Sequence, residues 1–259
     1  MPNIRGLLID LDGVLYIDDS PIPGAIEAVK WCKNNGYAVR FLTNTSTRPR
    51  MQLCSKLYAM GFEIQEYEIF SAPYAARLYL ESRPKRKCKF IVEATVMSDF
   101  LMLNDTSEET THIVIGDIGN RWDYKLLNEL FNDVLNGAQI VAIHKNRFWQ
   151  TSNGLQLDIG AFVAALEYAT KNEAFVTGKP SVDFFALAID DMGLLKNEVM
   201  LIGDDVDTDI GGAMEFGICA ALCKTGKYRD DYFLRSDISP DYLMGSIAEL
   251  PRFLQVAKN

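Results

Sequence analysis

Short apolar runs alternate with amphipathic stretches along the whole chain. This alternation is typical of βα units that build a parallel sheet. Gly6 to Ile9 reads as a buried strand, and Ala25, Ala28 and Cys32 follow it at helical spacing before Gly36. The pattern predicts an α/β fold with a Rossmann-like, mostly parallel sheet as its core.

The same reading gives further strands and helices in alternation. The predicted strands are Ala38 to Leu42, Phe90 to Glu93, His112 to Ile115, Gln139 to Ile143, Ala174 to Val176 and Val199 to Ile202. The predicted helices are Arg48 to Met60, Ala72 to Glu81, Tyr124 to Leu135, Ala161 to Ala169, Val182 to Asp190 and Asp209 to Phe216.

The character of the chain changes at a basic, proline-interrupted run from Ser82 to Lys89. A fresh series of strands and helices follows it, and 259 residues exceed the usual single domain of roughly 100 to 200 residues. We therefore predict an inserted α/β domain at residues 82–171. The first domain would consist of residues 1–81 and resume near Asn172 to include residues 172–259.

The charge balance excludes several classes of partner. The net charge of −9 creates a field that repels nucleic acid and anionic lipid, so a phosphate-bearing ligand needs a local cation or helix N-terminus. No apolar run approaches the roughly 18 residues of a membrane span. Met1 to Arg5 leads straight into a strand-like run, without a signal-peptide core. We expect a cytoplasmic protein without nucleic-acid or membrane partners.

The inventory of cysteine and histidine narrows the chemistry further. Five cysteines without Cys-x-x-Cys spacing fit reduced thiols better than disulfides or a zinc site. Only two histidines, His112 and His144, are present, and the motifs of serine hydrolases, zinc proteases and Walker-type nucleotide binders are missing from the sequence. Carboxylates are left to carry any catalysis.

Polar side chains suited to phosphate or metal follow four of the predicted strands. A single Asp-x-Asp after a strand could be a simple turn, but four such strand ends in a fixed order favour a functional site. They are Asp10 and Asp12, Thr43 and Asn44, Lys179, and Asp204 and Asp205 with Asp209 four residues further on.

These four sites resemble the motifs of the haloacid dehalogenase superfamily of phosphohydrolases, and the sequence is most similar to its NagD-like class IIA branch. That branch carries a C2-type cap domain between the second and third motifs. Two sequence segments resemble those of the subgroup that contains phospholysine phosphohistidine inorganic pyrophosphate phosphatase. They are Gly178-Lys179-Pro180-Ser181 and Lys224-Thr225-Gly226-Lys227-Tyr228.

The resemblance implies a mechanism for small phosphorylated metabolites. Asp10 would be the nucleophile that forms an aspartyl phosphate, and Asp12 the general acid and base. Mg²⁺ would be held by the carboxylates of Asp10 and Asp204 and the backbone carbonyl of Asp12, the hard oxygen ligands that this ion prefers. Lys179 would touch both the nucleophile and the phosphate.

The remaining implied roles concern phosphate binding, support and selectivity. Thr43 and the Asn44 backbone amide would bind phosphate oxygens, and Asp205 and Asp209 would support the metal waters or orient Lys179, in an order that the sequence leaves open. Arg147 and Trp149, on the loop after a cap strand, would contact the leaving group. The alternative is that Phe148 and Trp149 are cap core and the cations of the loop a solvated rim.

Two other functions use the same residues. A phosphotransferase would replace water by a second alcohol, and a non-catalytic phosphoacceptor or binding protein would keep the fold without turnover. The acid at Asp12 favours phosphatase over dehalogenase chemistry, since a halide leaving group needs no proton. A homodimer is left open.

Overall fold

The computed structural model describes residues 3–151 and 154–258; the side chains of residues 149–151 and 257–258 lie outside this description. The strands are β1 (Gly6–Asp10), β2 (Tyr16–Ile17), β3 (Ser20–Pro21), β4 (Ala38–Thr43), β5 (Ile69–Ser71), β6 (Cys88–Ile91), β7 (His112–Ile115), β8 (Gln139–Ala142), β9 (Phe148–Thr151), β10 (Gly154–Leu157), β11 (Phe175–Val176), β12 (Val199–Gly203), β13 (Cys219–Cys223) and β14 (Tyr242–Met244).

Helices alternate with these strands, as the sequence pattern predicted. They are α1 (Ala25–Asn34), α2 (Arg50–Ala59), α3 (Ala72–Glu81), α4 (Tyr124–Leu135), α5 (Ile159–Thr170), α6 (Val182–Met192), α7 (Gly212–Phe216), α8 (Asp230–Phe233) and α9 (Leu250–Lys258). The α/β fold class is confirmed.

The larger sheet has the strand order β14-β13-β12-β1-β4-β5. Strand β1 lies between β12 and β4 and pairs in parallel with both, so that Ile9 is level with Ile202 and Asp10 with Leu42. Every residue of β1 is buried, as expected for a strand covered on both faces. The carboxyl ends of these three strands therefore lie side by side.

The smaller sheet has the order β11-β8-β7-β6 and is also parallel. Helices α4 and α5 bury their apolar residues against it, among them Leu130, Val134 and Val163. Strand β9 pairs with β10 in an antiparallel hairpin. The region predicted as an inserted domain thus contributes three of the four strands of this sheet and the buried residues of this apolar core.

One strand lies in a different sheet from the one predicted. The sequence reading placed Ala174 to Val176 in the first domain, but β11 pairs with β8, with Phe175 level with Val141. The run is short and apolar, and such a run does not indicate which of two parallel sheets will accept it. Lys179 therefore follows a strand of the smaller sheet.

Contacts within the chain define two compact units. The first consists of Met1–Thr43, Arg50–Phe70 and Lys179–Asn259, and the second of Asn44–Pro49 and Ser71–Gly178. These bounds differ from the predicted domains, residues 1–81 with 172–259 and residues 82–171. The predicted domains concern which pieces fold independently, and they stay a prediction.

Candidate active site

The candidate site lies in the first unit, where β1, β4 and β12 end. Asp10 is the last residue of β1, Thr43 is the last residue of β4, and Asp204 directly follows β12. All three side chains are buried, as is Lys179. The structure therefore brings together four of the predicted site residues, each from a different segment of the sequence.

Lys179 pairs with two carboxylates at once. Its Nζ lies 2.5 Å from Oδ1 of Asp10 and 2.6 Å from Oδ1 of Asp209. Burial alone would lower the pKa of Lys179, but the charges of Asp10 and Asp209 outweigh it and raise that pKa above its ordinary value. The lysine thus stays charged, and Asp209 holds it beside Asp10.

Asp209 also supports the backbone around Asp204. Its Oδ2 accepts hydrogen bonds from the backbone N–H groups of Asp204 at 3.3 Å and Asp205 at 3.2 Å. Asp205 points elsewhere: its Oδ1 accepts from the N–H groups of Asp207 and Thr208, so it caps the wide helical turn Val206–Gly211. Asp209 therefore contacts the cluster directly, whereas Asp205 fixes the following turn.

The acids form a cluster suited to a cation. Asp10, Asp204 and Asp209 each offer a carboxylate oxygen, and these oxygens lie within 4.8 Å of one another. Oδ1 of Asp204 is buried and has no hydrogen-bond partner among the residues described. A buried carboxylate oxygen without a donor is costly unless a cation completes it, so the donor set fits Mg²⁺.

Burial and mutual repulsion perturb these carboxylates. Burial raises the pKa of Asp10 well above its ordinary value; Lys179 opposes this effect, and the charges of Asp209 and Asp204 add to it. Burial and then the charge of Asp209 raise the pKa of Asp204 to about 7. Without a cation, burial and repulsion within the cluster therefore oppose ionisation of Asp10 and Asp204.

Asp12 lies outside this buried cluster. Its side chain is exposed and forms no hydrogen bond or ion pair with the described residues. The next residue, Gly13, has a φ of +89°, and a Cβ there would overlap the Asp204 carboxylate. Only glycine accommodates both the left-handed backbone and this close approach. The glycine thus lets the loop that carries Asp12 lie against Asp204.

A turn near the end of the chain completes the site, although the sequence analysis assigned it no role. In this 225–227 turn, the Thr225 hydroxyl donates to the carbonyl of Gly13, and the Lys227 N–H donates to Oδ2 of Asp204 at 2.6 Å. The Lys227 ammonium pairs with Asp205 at 2.9 Å. The signal available in the sequence was the glycine between them, Gly226, which adopts a left-handed conformation in the structure.

The remaining predicted residues belong to the second unit. Asn44 is half-buried, and its Oδ1 lies beside Gly178. Arg147 is exposed, with its guanidinium 5.5 Å from the centre of the Phe148 ring. Phe148 is itself 50% exposed, which argues against its being cap core. The side chain of Trp149 lies outside the described residues.

Comparisons with known proteins identify relatives of this chain. A family model for haloacid dehalogenase-like hydrolases matches residues 7–104, and a second HAD-hydrolase-like model matches residues 176–250. Haloacid dehalogenase-like hydrolase domain-containing protein 2 of Homo sapiens is 38% identical over 226 residues, with 87% of this chain and 86% of that protein covered. The phospholysine phosphohistidine inorganic pyrophosphate phosphatase of Bos taurus is 35% identical, with 96% and 93% covered.

Among solved structures, p-nitrophenyl phosphatase from Archaeoglobus fulgidus superposes with a TM-score of 0.88 at 28% identity, covering 97% of this chain and all of that one. NagD from E. coli K-12 shares the fold with a TM-score of 0.86 at 21% identity, covering 95% and 98%. The chain belongs to the haloacid dehalogenase-like hydrolases. Within that family it is a phosphatase of the class IIA branch.

Proposed function

We propose that this phosphatase is Mg²⁺-dependent and cleaves small phosphorylated substrates through an aspartyl phosphate on Asp10. The observation that carries the proposal is the pairing of Asp10 with Lys179 beside the partnerless oxygen of Asp204. A nucleophile, a fixed positive charge and a cation site then converge at one sheet edge, where ligands bind in open α/β folds.

Charge is the main obstacle to the reaction. An anionic carboxylate and an anionic phosphate repel, and two unit charges at 4 Å do so by about 4 kcal/mol at an effective dielectric near 20. Mg²⁺, when bound by Asp10, Asp204 and the Asp12 carbonyl, would supply the positive charge that offsets this repulsion. Lys179 supplies a second positive charge and holds Oδ1 of Asp10 in a fixed direction.

The steps follow from the residues. Asp10 attacks phosphorus in line, and a bond forms to its carboxylate oxygen while the bond to the leaving-group oxygen breaks. Asp12 gives its proton to that oxygen, then takes a proton from the water that attacks the aspartyl phosphate. Phosphate leaves and Asp10 is regenerated. The exposure of Asp12 suits a residue that must exchange protons with substrate and water.

Thr43 and Asn44 are proposed to bind the phosphate oxygens, Thr43 through its hydroxyl and Asn44 through its backbone amide. Asp209 is proposed to orient Lys179, which is supported by their 2.6 Å ion pair. Arg147 and Trp149 are proposed as contacts of the leaving group. Within the described part of the chain, every helix is too short or too polar to cross a membrane; a cytoplasmic setting and a homodimer stay predictions.

The test is a panel of phosphorylated metabolites, phosphoamino acids, pyrophosphate and 4-nitrophenyl phosphate, with released phosphate as the readout, run with and without Mg²⁺. Asp10→Asn should abolish turnover because an amide cannot attack phosphorus. A matched control is Asp237→Asn, which makes the same change at an exposed aspartate without a described side-chain partner.

Borohydride reduction during turnover adds a direct measurement, because it converts an aspartyl phosphate into homoserine. Mass spectrometry should find this product at Asp10 alone. Substantial Mg²⁺-dependent phosphate release by Asp10→Asn would contradict the proposed nucleophile. Consumption of substrate with transfer to an added alcohol instead of phosphate release would identify a phosphotransferase.

A further inference from the structure

The side chain of Asp12 has no partner to aim it. It is exposed and makes no hydrogen bond or ion pair with the part of the chain that the structure describes. A general acid contributes only when its proton lies within hydrogen-bond reach of the leaving-group oxygen. Among the described residues, the backbone of residues 12 and 13 is therefore what directs this side chain.

That backbone is held from two sides. The Gly13 N–H donates to the carbonyl of Tyr16 at 2.8 Å, and the Gly13 carbonyl accepts from the Thr225 hydroxyl at 2.5 Å. The first bond is local to the loop. The second joins the loop to a segment more than two hundred residues away in the sequence, and it is the only bond from a side chain to Gly13 among those described.

The donor is itself fixed. The 225–227 turn closes through a bond from the Tyr228 N–H to the Thr225 carbonyl at 3.0 Å. The guanidinium of Arg229 donates to the Gly226 carbonyl at 2.9 Å, and the Lys227 N–H reaches Asp204. A Cβ at Gly226 would overlap Asp204 and crowd Gly13, so the turn packs directly on both loops. These contacts thus fix the turn that carries the Thr225 hydroxyl.

We propose that Thr225 is a positioning residue for the general acid: its hydrogen bond to the Gly13 carbonyl fixes the direction of the Asp12 carboxyl group. The inference rests on the proposed function, in which Asp12 protonates the leaving group. Thr225 touches neither substrate nor reacting atoms in this role. It affects the two steps in which Asp12 transfers a proton, and only the first of these steps involves the leaving group.

This assignment predicts a dependence on the leaving group. A phenolate of low basicity departs without a proton, whereas a basic leaving group requires one. Thr225→Val keeps the shape of the side chain and removes the hydroxyl. It should therefore lower kcat/KM about tenfold for phenyl phosphate and less than about threefold for 4-nitrophenyl phosphate, a part of the roughly 10² to 10⁴ that general acids contribute.

The experiment measures kcat and KM for a series of aryl phosphates with increasingly basic leaving groups. Thr225→Val should steepen the dependence of kcat/KM on leaving-group basicity, because kcat/KM reports the step in which the leaving group departs. Thr225→Ser, which keeps the hydroxyl, should restore the original dependence. Asp12→Asn should steepen it more strongly. The matched control is Thr170→Val, which removes a hydroxyl that donates to the Leu166 carbonyl at 2.8 Å on α5; its slope should equal that of the unaltered protein.

A second measurement does not need turnover. Hydrogen exchange of the backbone amides of residues 11–16 should be faster in metal-free Thr225→Val than in the unaltered protein or Thr225→Ser, because Gly13 has lost one of its two hydrogen bonds. This change should occur without a loss of the amide protection of β1.

The possible failures are distinguishable. Absence of phosphate release by the unaltered protein would overturn the proposed function and this inference with it. A normal rate with no leaving-group dependence in Asp12→Asn would remove the general-acid role. If Asp12→Asn behaves as expected but Thr225→Val lowers all aryl phosphates equally or leaves them unchanged, Thr225 does not position Asp12.

Discussion

Asp204→Asn should make the metal-free protein more stable at pH 8, although it removes a proposed metal ligand. The Asp204 side chain is buried, and its pKa is raised from 3.8 to about 7 by burial and by the charge of Asp209. Each pH unit between these values corresponds to 1.36 kcal/mol, so keeping the carboxylate ionised in the folded protein costs about 4 kcal/mol. An amide carries no such cost.

Weaker hydrogen bonding offsets part of the stability that Asp204→Asn gains. The amide oxygen can still accept the Lys227 N–H, but an amide in a place shaped for a carboxylate costs about 1 to 2 kcal/mol in hydrogen bonding. The net gain is then about 2 to 3 kcal/mol. For a protein of this size, it corresponds to roughly 4 to 12 °C in Tm.

The sign of the pH dependence follows from the raised pKa. A carboxyl group of this kind contributes its full stability below pH 3.8 and loses it as the pH rises through about 7. At pH 5 the folded protein already holds the proton, so most of the advantage of Asp204→Asn disappears. The gain should be large at pH 8 and close to zero at pH 5.

The assay is thermal unfolding in a chelator at both pH values, with Asp237→Asn as the control for the loss of one exposed negative charge. Millimolar Mg²⁺ should then raise the Tm of the unaltered protein at pH 8 and leave that of Asp204→Asn nearly unchanged. A variant that melts no higher at pH 8, or that gains equally at pH 5 and pH 8, would refute the reasoning.

Two further predictions concern the second unit. Burial lowers the pKa of His144 from its ordinary 6.5, so the unfolded chain binds the proton more readily and stability falls as the pH drops below 6.5. His144→Gln should therefore lose less stability than the unaltered protein between pH 7 and pH 5, as measured by urea midpoints in Mg²⁺. An unchanged pH dependence in this variant would contradict the prediction. Replacing Arg147 and Trp149 together by Ala should reorder substrate preference, with a loss of about 1 to 3 kcal/mol in kcat/KM per contact on the preferred substrate and little change for 4-nitrophenyl phosphate. An equal loss on both substrates with a lower Tm would indicate a role in cap packing instead.

Local signals predicted several elements to the residue. Helix α3 begins at Ala72 and ends at Glu81, as predicted. Pro73 lies in its first turn, and Ser71 caps it by accepting from the Tyr74 N–H at 3.2 Å. Strand β7 has the predicted bounds His112–Ile115. In both cases the determining interactions lie within a few residues of the element, so the sequence alone contains them.

Other elements depend on contacts of their side chains with distant residues and with backbone amides. The predicted helix Asp209 to Phe216 is regular only from Gly212, and a wide helical turn precedes it. In this first part the Ile210 N–H donates to the Asp205 carbonyl, five residues back, and the Asp209 carboxylate turns inward to Lys179 and to the amides before the turn. Helical periodicity does not reveal such a constraint.

The positions of the candidate site residues at strand ends were predictable, whereas their mutual contacts were not. Asp10, Thr43 and Asp204 come together because parallel strands end at one edge. That Lys179 pairs with Asp209 as well as Asp10 depends on distances set by tertiary packing. Thr225 gave no signal of its own, because a threonine in a turn acquires its partner only when the chain folds.

The pairing of β11 with β8 determines where chimaeras of this phosphatase and its relatives can be joined. A graft of residues 82–171 would leave β11 behind and break its register, Phe175 with Val141 and Val176 with Ala142. Breakpoints at 71 and 178 keep these bonds within the transplanted piece. Residues 44–49 should travel with it, since the Ser46 hydroxyl lies 3.3 Å from Nε2 of His144. Exchange of the whole second unit between relatives thus requires two segments of the donor sequence, of which one is only six residues long.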